Sequence, residues 1–192
     1  MDTHERQNTA LIVIDVQKGF DQAVYGPTAN PEAEANISRL IDEWVKGQRG
    51  PIVVVKHDSI DETSPLHTSN PGNELKSVAA EAEAALTVTK HVNSAFYGDP
   101  DLDAWLRQEN IDYLVLCGIQ TNMCVETTAR MAGNLGYKVT VAFDATRTFD
   151  IAIDIAGLGK MRASAEELMR ATAMNLSAGG FAEIRMTESI LA

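Results

Sequence analysis

The stretch YLVLCGIQTNMCVETTARMAGNLGYKVTVAFDAT, residues 113–146, decides the fold class. It opens on an unbroken apolar run, YLVLCG (113–118), passes through a short polar turn and continues with helical spacing over residues 122–135. Gly136 then stands where a helix C-terminal cap belongs, and a second apolar run, KVTVAF (138–143), follows directly. Apolar runs that are continuous rather than alternating belong to strands buried on both faces, as in a parallel sheet. A strand, a helix and a second such strand make one right-handed crossover unit.

The pattern repeats outward in both directions. Strands are predicted at ALIVID (10–15), IVVVKH (52–57), LTVTK (86–90) and FAEIRM (181–186), and helices at 31–46, 101–108 and 163–176, with Gly47 placed to cap the first helix. Strands alternating with helices imply an α/β chain: a three-layer α/β/α sandwich on a mainly parallel, about six-stranded sheet. The length of 192 residues, 45% of them apolar, suits a single domain over residues 1–192. Residues 59–72, with Pro65 and Pro71, read as an ordered excursion rather than a linker.

Charge and composition exclude several classes of function. Asp and Glu number 27 against 16 Lys and Arg, a net charge of -11 without a basic cluster, so nucleic acid is not an expected partner. No apolar run is long enough to span a membrane, and the amino-terminal MDTHERQNTA lacks the basic and apolar regions of a signal peptide. A cytoplasmic protein is the expectation. The cysteines, Cys117 and Cys124, form no Cys-x-x-Cys pair, which argues against a disulfide framework or a thiolate zinc site.

In open α/β sheets ligands sit beyond the carboxyl ends of the strands, so those ends are where chemistry is sought. Asp15, His57 with Asp58, Lys90, Gly118 and Asp144 stand there. DVQKGFDQ, from Asp15 onward, lacks the G-x-G-x-x-G turn that admits a pyrophosphate, and no cofactor is expected. Cys124 is placed at the start of the helix after the fourth strand, where free N–H groups and the helix dipole favour a thiolate. Cys117, inside YLVLCG, reads as core. An aspartate, a lysine and this cysteine at one sheet edge supply a base, a cation and a nucleophile.

Three blocks, ALIVIDVQKGF around Asp15, KHVNSAF around Lys90, and LCGIQTNMCVETTARMAGNLGYKVTVAFDAT around Cys124, together resemble the isochorismatase-like cysteine hydrolases. That family includes nicotinamidases, N-carbamoylsarcosine amidohydrolases, ureidoacrylate and biuret hydrolases, and streptothricin hydrolases. The resemblance covers nearly the whole chain. It implies a Rossmann-like sheet, an Asp15–Lys90–Cys124 catalytic triad, and a cis peptide between Ile119 and Gln120. The backbone N–H groups of Gln120 and Cys124 would then form an oxyanion hole. The implied reaction is cleavage of a C–N bond, amide or carbamoyl, in a small molecule through a thioester, by a protein that forms a homo-oligomer. Gln17, Phe20, His57, Asp58, Asn93, Phe96 and Asn122 are the expected lining of the cleft.

Departures from the family pattern narrow the reading. Metal-binding nicotinamidases resemble one another in an Asp-x-His pair after the second strand, whereas in KHDSIDETSPLH Asp58 is followed two places on by Ile60. No metal site is expected. True isochorismatases of the family lack the cysteine, so ether hydrolysis is the lesser alternative, beside a non-catalytic binding protein on the same fold and a thiol redox protein. The apolar residues 149–161 are expected to fold over the carboxyl edge of the sheet, or against a neighbouring subunit, and otherwise to pack as a short element on their own subunit.

Overall fold

The computed structural model describes residues 8–192. The first seven residues, on which most of the signal-peptide reading rests, lie outside it. In chain order the principal elements are β1 (Thr9–Ile14), α1 (Ala33–Lys46), β2 (Ile52–His57), α2 (Ser77–Ala80), β3 (Leu86–Lys90) and α3 (Leu102–Gln108). There follow β4 (Tyr113–Ile119), α4 (Glu126–Asn134), β5 (Lys138–Arg147), β6 (Ile151–Ile155), β7 (Gly159–Ala163), α5 (Ala165–Ala178), β8 (Glu183–Arg185) and α6 (Thr187–Leu191). Six strands form one sheet in the order β3-β2-β1-β4-β5-β8, all neighbours parallel. The expected Rossmann-like α/β sheet is therefore present.

Side-chain alternation along β1 builds the three layers. Ala10, Ile12 and Ile14 enter a core with Val53 and Val55 of β2, Leu102 and Leu106 of α3, and Ala129 and Ala132 of α4. Leu11 and Val13 point the other way, into a core with Ile37, Leu40, Ile41 and Trp44 of α1 and Ile190 of α6. The α1 residues recur at the spacing of one helix face, and that face is what the helix buries. Ser164 starts α5 with a capping box: its hydroxyl accepts from the Glu167 N–H, and the Glu167 side chain accepts from the Ser164 N–H.

Several boundaries differ from the sequence reading, three of them as follows. The fifth strand runs four residues past Phe143 to Arg147, across a register shift between Leu116 and Gly118 on β4. The last strand shrinks to Glu183–Arg185. The expected helix over 122–135 is α-helical only from Glu126, because Thr121–Val125 form a wider π-helical turn.

Residues 149–161 divide into a buried start and an exposed hairpin. Phe149 is buried at 5% exposure, but β6 and β7 pair with each other as an antiparallel hairpin outside the main sheet. Ile153, Leu158 and Met161 are 54%, 72% and 49% exposed, so these side chains are not buried within the chain. The alternating sequence IAIDI and the left-handed Gly157 (φ 86°) suit a two-stranded turn rather than a lid. No helix among the described residues is long and apolar enough to cross a membrane.

The strand order changes direction between β1 and β4, which makes this the switch point where a cleft opens. Gly118 sets how closely these strands meet there. Its φ is 125°, and a Cβ on it would lie 2.0 Å from the carbonyl oxygen of Ile14. Gly118→Ala is accordingly expected to destabilise the protein by about 3 kcal/mol or more in chemical denaturation, since backbone must shift on both strands.

Candidate active site

Asp15 follows β1 in the left-handed region, φ 51°, a conformation aspartate tolerates better than most residues. Its N–H donates to the Val55 carbonyl at 2.9 Å, fixing the residue against the end of β2. The carboxylate is fully buried. Lys90 ends β3 and is also fully buried, with its ammonium 2.7 Å from Asp15 Oδ2. Burying either charge alone would be costly, whereas buried together each offsets much of the other's desolvation.

The same ammonium lies 3.4 Å from Cys124 Sγ and 3.1 Å from His57 Nδ1. His57 and Lys90 are register partners on β2 and β3, so the ends of neighbouring strands bring them together. Asn93, in the turn after β3, accepts from the Cys124 thiol at 3.8 Å. Asp15, His57, Lys90, Asn93 and Cys124 thus converge on one point of the switch-point cleft.

Cys124 lies in the π-helical turn and is 8% exposed. Burial pushes its thiol well above the usual range, the Asp15 charge pushes further, and Lys90 only partly opposes them. These influences favour the thiol over the thiolate expected from helix-end electrostatics, because the site is desolvated and already contains an anion. Asp15 Oδ1 is buried without a hydrogen-bond partner and is free to receive a proton. Cys117 is buried in β4, and burial raises its thiol pKa as well.

The Ile119–Gln120 peptide is cis, as the family resemblance implied. Met123 and Val125 both donate their N–H to the Gln120 carbonyl, while no turn or loop carbonyl among the described residues accepts from the N–H of Gln120 or of Cys124. Asn122 Oδ1 accepts a short hydrogen bond from Thr148 Oγ1, and Gln120 Oε1 lies 3.4 Å from the same hydroxyl. Thr148 and the π-helical turn therefore hold one another in place.

Three expected cleft residues do other work. Gln17 is fully buried: its Nε2 donates to the carbonyls of His57 (2.9 Å) and Asn73 (2.8 Å), and its Oε1 accepts from the His57 N–H (2.9 Å). With its amide committed to backbone, Gln17 positions His57 rather than a ligand. Phe96 stacks on Tyr137 at 5.9 Å in the core, since the short turn at Ala95–Tyr97 directs it inward. Asp58 is taken up by Lys56 (2.9 Å) and by the Asn73 amide (2.9 Å).

Phe20 joins Tyr25 and Phe149 in an aromatic cluster, with ring centroids 5.0 to 6.0 Å apart, packed beside Ile119. Sequence reasoning missed Tyr25 and Thr148. The phenol of Tyr25 is pushed above its usual range by burial first and by electrostatic interaction with Cys124 second. Neither residue belongs to a periodic segment, and the only available signal was Thr148 following a strand whose end was read too early.

An Asp15 oxygen, a His57 ring nitrogen and Cys124 Sγ lie within 4.8 Å of one another, a spacing that could suit a metal ion. The Lys90 ammonium stands within 3.4 Å of a side-chain atom of each, however, and a second cation there would meet like-charge repulsion. These residues do not fit a metal while Lys90 is charged. A groove of about 540 Å³ at the opposite end of the strands is lined by Tyr113, Lys138 and Glu183.

Residues 9–173 match the isochorismatase domain model. The isochorismatase family protein YrdC of Bacillus subtilis is 36% identical over 143 residues, which are 74% of this chain and 75% of that protein. Streptothricin hydrolase of Streptomyces noursei is 32% identical over 143 residues, 74% of this chain and 50% of the relative. A crystal structure of a protein described as a putative hydrolase of the isochorismatase family, from Chromobacterium violaceum, superposes with a TM-score of 0.85 at 32% identity, covering 96% of this chain and 92% of that one. By sequence and by fold, this chain belongs to the isochorismatase family.

Proposed function

We propose that the protein is a cysteine-dependent hydrolase that cleaves the C–N bond of a small amide or carbamoyl compound. One observation carries the reading: a sealed ammonium, Lys90, joins a carboxylate and a thiol at the switch point. The kinship with a streptothricin hydrolase supports hydrolytic chemistry.

The steps follow from the charges. Asp15 takes the thiol proton as Cys124 Sγ bonds to the carbonyl carbon, so the thiolate need not exist beforehand. The carbonyl oxygen becomes an oxyanion, held by the N–H groups of Gln120 and Cys124, each worth roughly 2.7 to 4 kcal/mol in comparable sites. Collapse breaks the C–N bond, and Asp15 returns the proton to the departing nitrogen. Asp15, again ionised, then takes a proton from water as water attacks the thioester; collapse breaks the C–S bond, Asp15 returns that proton to the sulfur, and the acid product leaves with the thiol restored. Lys90 remains charged throughout, offsetting whichever anion is present.

Because these groups act as one unit, Cys124→Ala, Asp15→Asn and Lys90→Ala are each expected to lower kcat by about a thousandfold or more with the circular dichroism of the fold retained. Near-native turnover of a folded Cys124→Ala would contradict the mechanism. Turnover should also survive exhaustive chelation, measured before and after dialysis against a chelator, since Lys90 fills the point where a metal would sit. Loss restored by a divalent ion would overturn that view.

The protein is also proposed to be a homo-oligomer. A two-stranded hairpin is marginal in water on its own, and the β6–β7 hairpin carries exposed Ile153, Leu158 and Met161, so a second copy is its proposed partner. Ile153→Asp is expected to shift the mass seen by light scattering toward the monomer, and an unchanged mass would reject this interface.

A further inference from the structure

His57 holds a position that the proposed chemistry does not use. An ammonium has three N–H donors and no lone pair. Lys90 Nζ directs hydrogen bonds to Asp15 Oδ2 at 2.7 Å, His57 Nδ1 at 3.1 Å and Cys124 Sγ at 3.4 Å, so its donors are fully assigned. Toward such a group Nδ1 can only accept. The neutral ring must then carry its proton on Nε2, a tautomer fixed by the neighbour rather than by any partner of Nε2 itself.

Three further observations bear on the ring. Gln17 grips both the N–H and the carbonyl of His57, so the backbone that carries the ring is fixed at the end of β2. Nε2 has no protein partner among the described residues and is not among their sealed, unsatisfied atoms, which leaves it open to the cleft. A His57 ring nitrogen also lies within 4.8 Å of both Cys124 Sγ and an Asp15 oxygen.

We propose that Lys90 locks His57 as a neutral Nε2–H donor, and that this donor makes the site prefer substrates bearing a hydrogen-bond acceptor next to the scissile carbonyl. A second carbonyl, a ring nitrogen or an ether oxygen in that position would meet the donor. An N–H or ammonium there would meet donor against donor and leave both groups unpaired. The inference rests on Cys124 as the nucleophile of the proposed hydrolase and deepens that reading by naming a substrate class.

The charged groups around the ring agree with a neutral imidazole. Burial lowers the His57 pKa from the ordinary histidine value, the Lys90 charge lowers it further and His91 adds to this, against the opposing charges of Asp15 and Asp58. The neutral donor therefore persists to lower pH than that of an ordinary imidazole.

The test has one arm that needs no turnover. In nitrogen-15 spectra of the full-length protein at neutral pH, His57 is expected with a protonated Nε2 and an unprotonated Nδ1, titrating below the ordinary range. Nδ1 carrying the proton overturns the lock. The second arm uses the probe pair methylglyoxal and propanal, which differ by one carbonyl oxygen beside the aldehyde. Each adds Cys124 across the aldehyde, forming an S–C bond while the thiol proton goes to the aldehyde oxygen, and is read as protection against iodoacetamide.

Relative to propanal, methylglyoxal should protect wild type roughly tenfold better than it protects His57→Leu, the loss of one neutral hydrogen bond. His57→Gln should rescue the preference, because its amide can accept from Lys90 through Oε1 and donate through Nε2. An equal preference in wild type and His57→Leu, or protection by neither aldehyde, refutes the proposal. Absence of amide turnover with both arms as expected would instead refute the amidohydrolase reading and leave the donor lock standing.

Discussion

A fully buried ammonium must find an acceptor for each of its donors and an anion to offset its charge, and that demand on Lys90 organises the site. No single strand can meet it. The anion comes from the end of β1, the imidazole from the end of β2 and the thiol from the turn after β4, while the lysine itself ends β3. The order β3-β2-β1-β4 is what lets these four ends meet. Gly118 permits the close approach of β4 to Ile14, immediately before Asp15. Gln17 and Asn73 then hold the end of β2 by its backbone, so that the ring of His57 faces the ammonium.

The same crowding decides the state of the nucleophile. Lys90 favours a thiolate on Cys124, but burial and the Asp15 carboxylate act against it, and together they win. A site of this kind gains nothing from a preformed anion. It needs instead a base already in contact with the cation, able to take the proton only as the sulfur bonds to carbon, and Asp15, with one oxygen held by Lys90 and the other unpartnered, has that form.

The sheet was legible in the sequence because its strands are continuous apolar runs, and a parallel strand buried on both faces can be little else. Asp15, Lys90 and Cys124 were legible for a related reason: each ends or follows such a run, and strand ends at the switch point share one edge. Side-chain direction was not. Gln17 and Phe96 lie close in sequence to Asp15 and Lys90, yet one turns into backbone and the other into the core, choices made by partners far along the chain. The π-helical turn at Thr121–Val125 keeps helical spacing and so leaves no mark in the sequence. The hairpin of β6 and β7 was masked by its apolar content, which suggested burial where its alternation and Gly157 give an exposed ribbon. His57 was placed at the cleft, but its meaning emerges only when the three bonds of one ammonium are counted.

The central claim is covalent, and intact-mass spectrometry tests it most directly. The protein is mixed with a panel of small amides, quenched in acid within the first turnover and digested. The account predicts, for any amide that is hydrolysed, an added mass equal to the acyl group without its leaving amine, located on Cys124 and absent from Cys117. Hydrolysis with no adduct in wild type, together with undiminished hydrolysis by a folded Cys124→Ala, would contradict it.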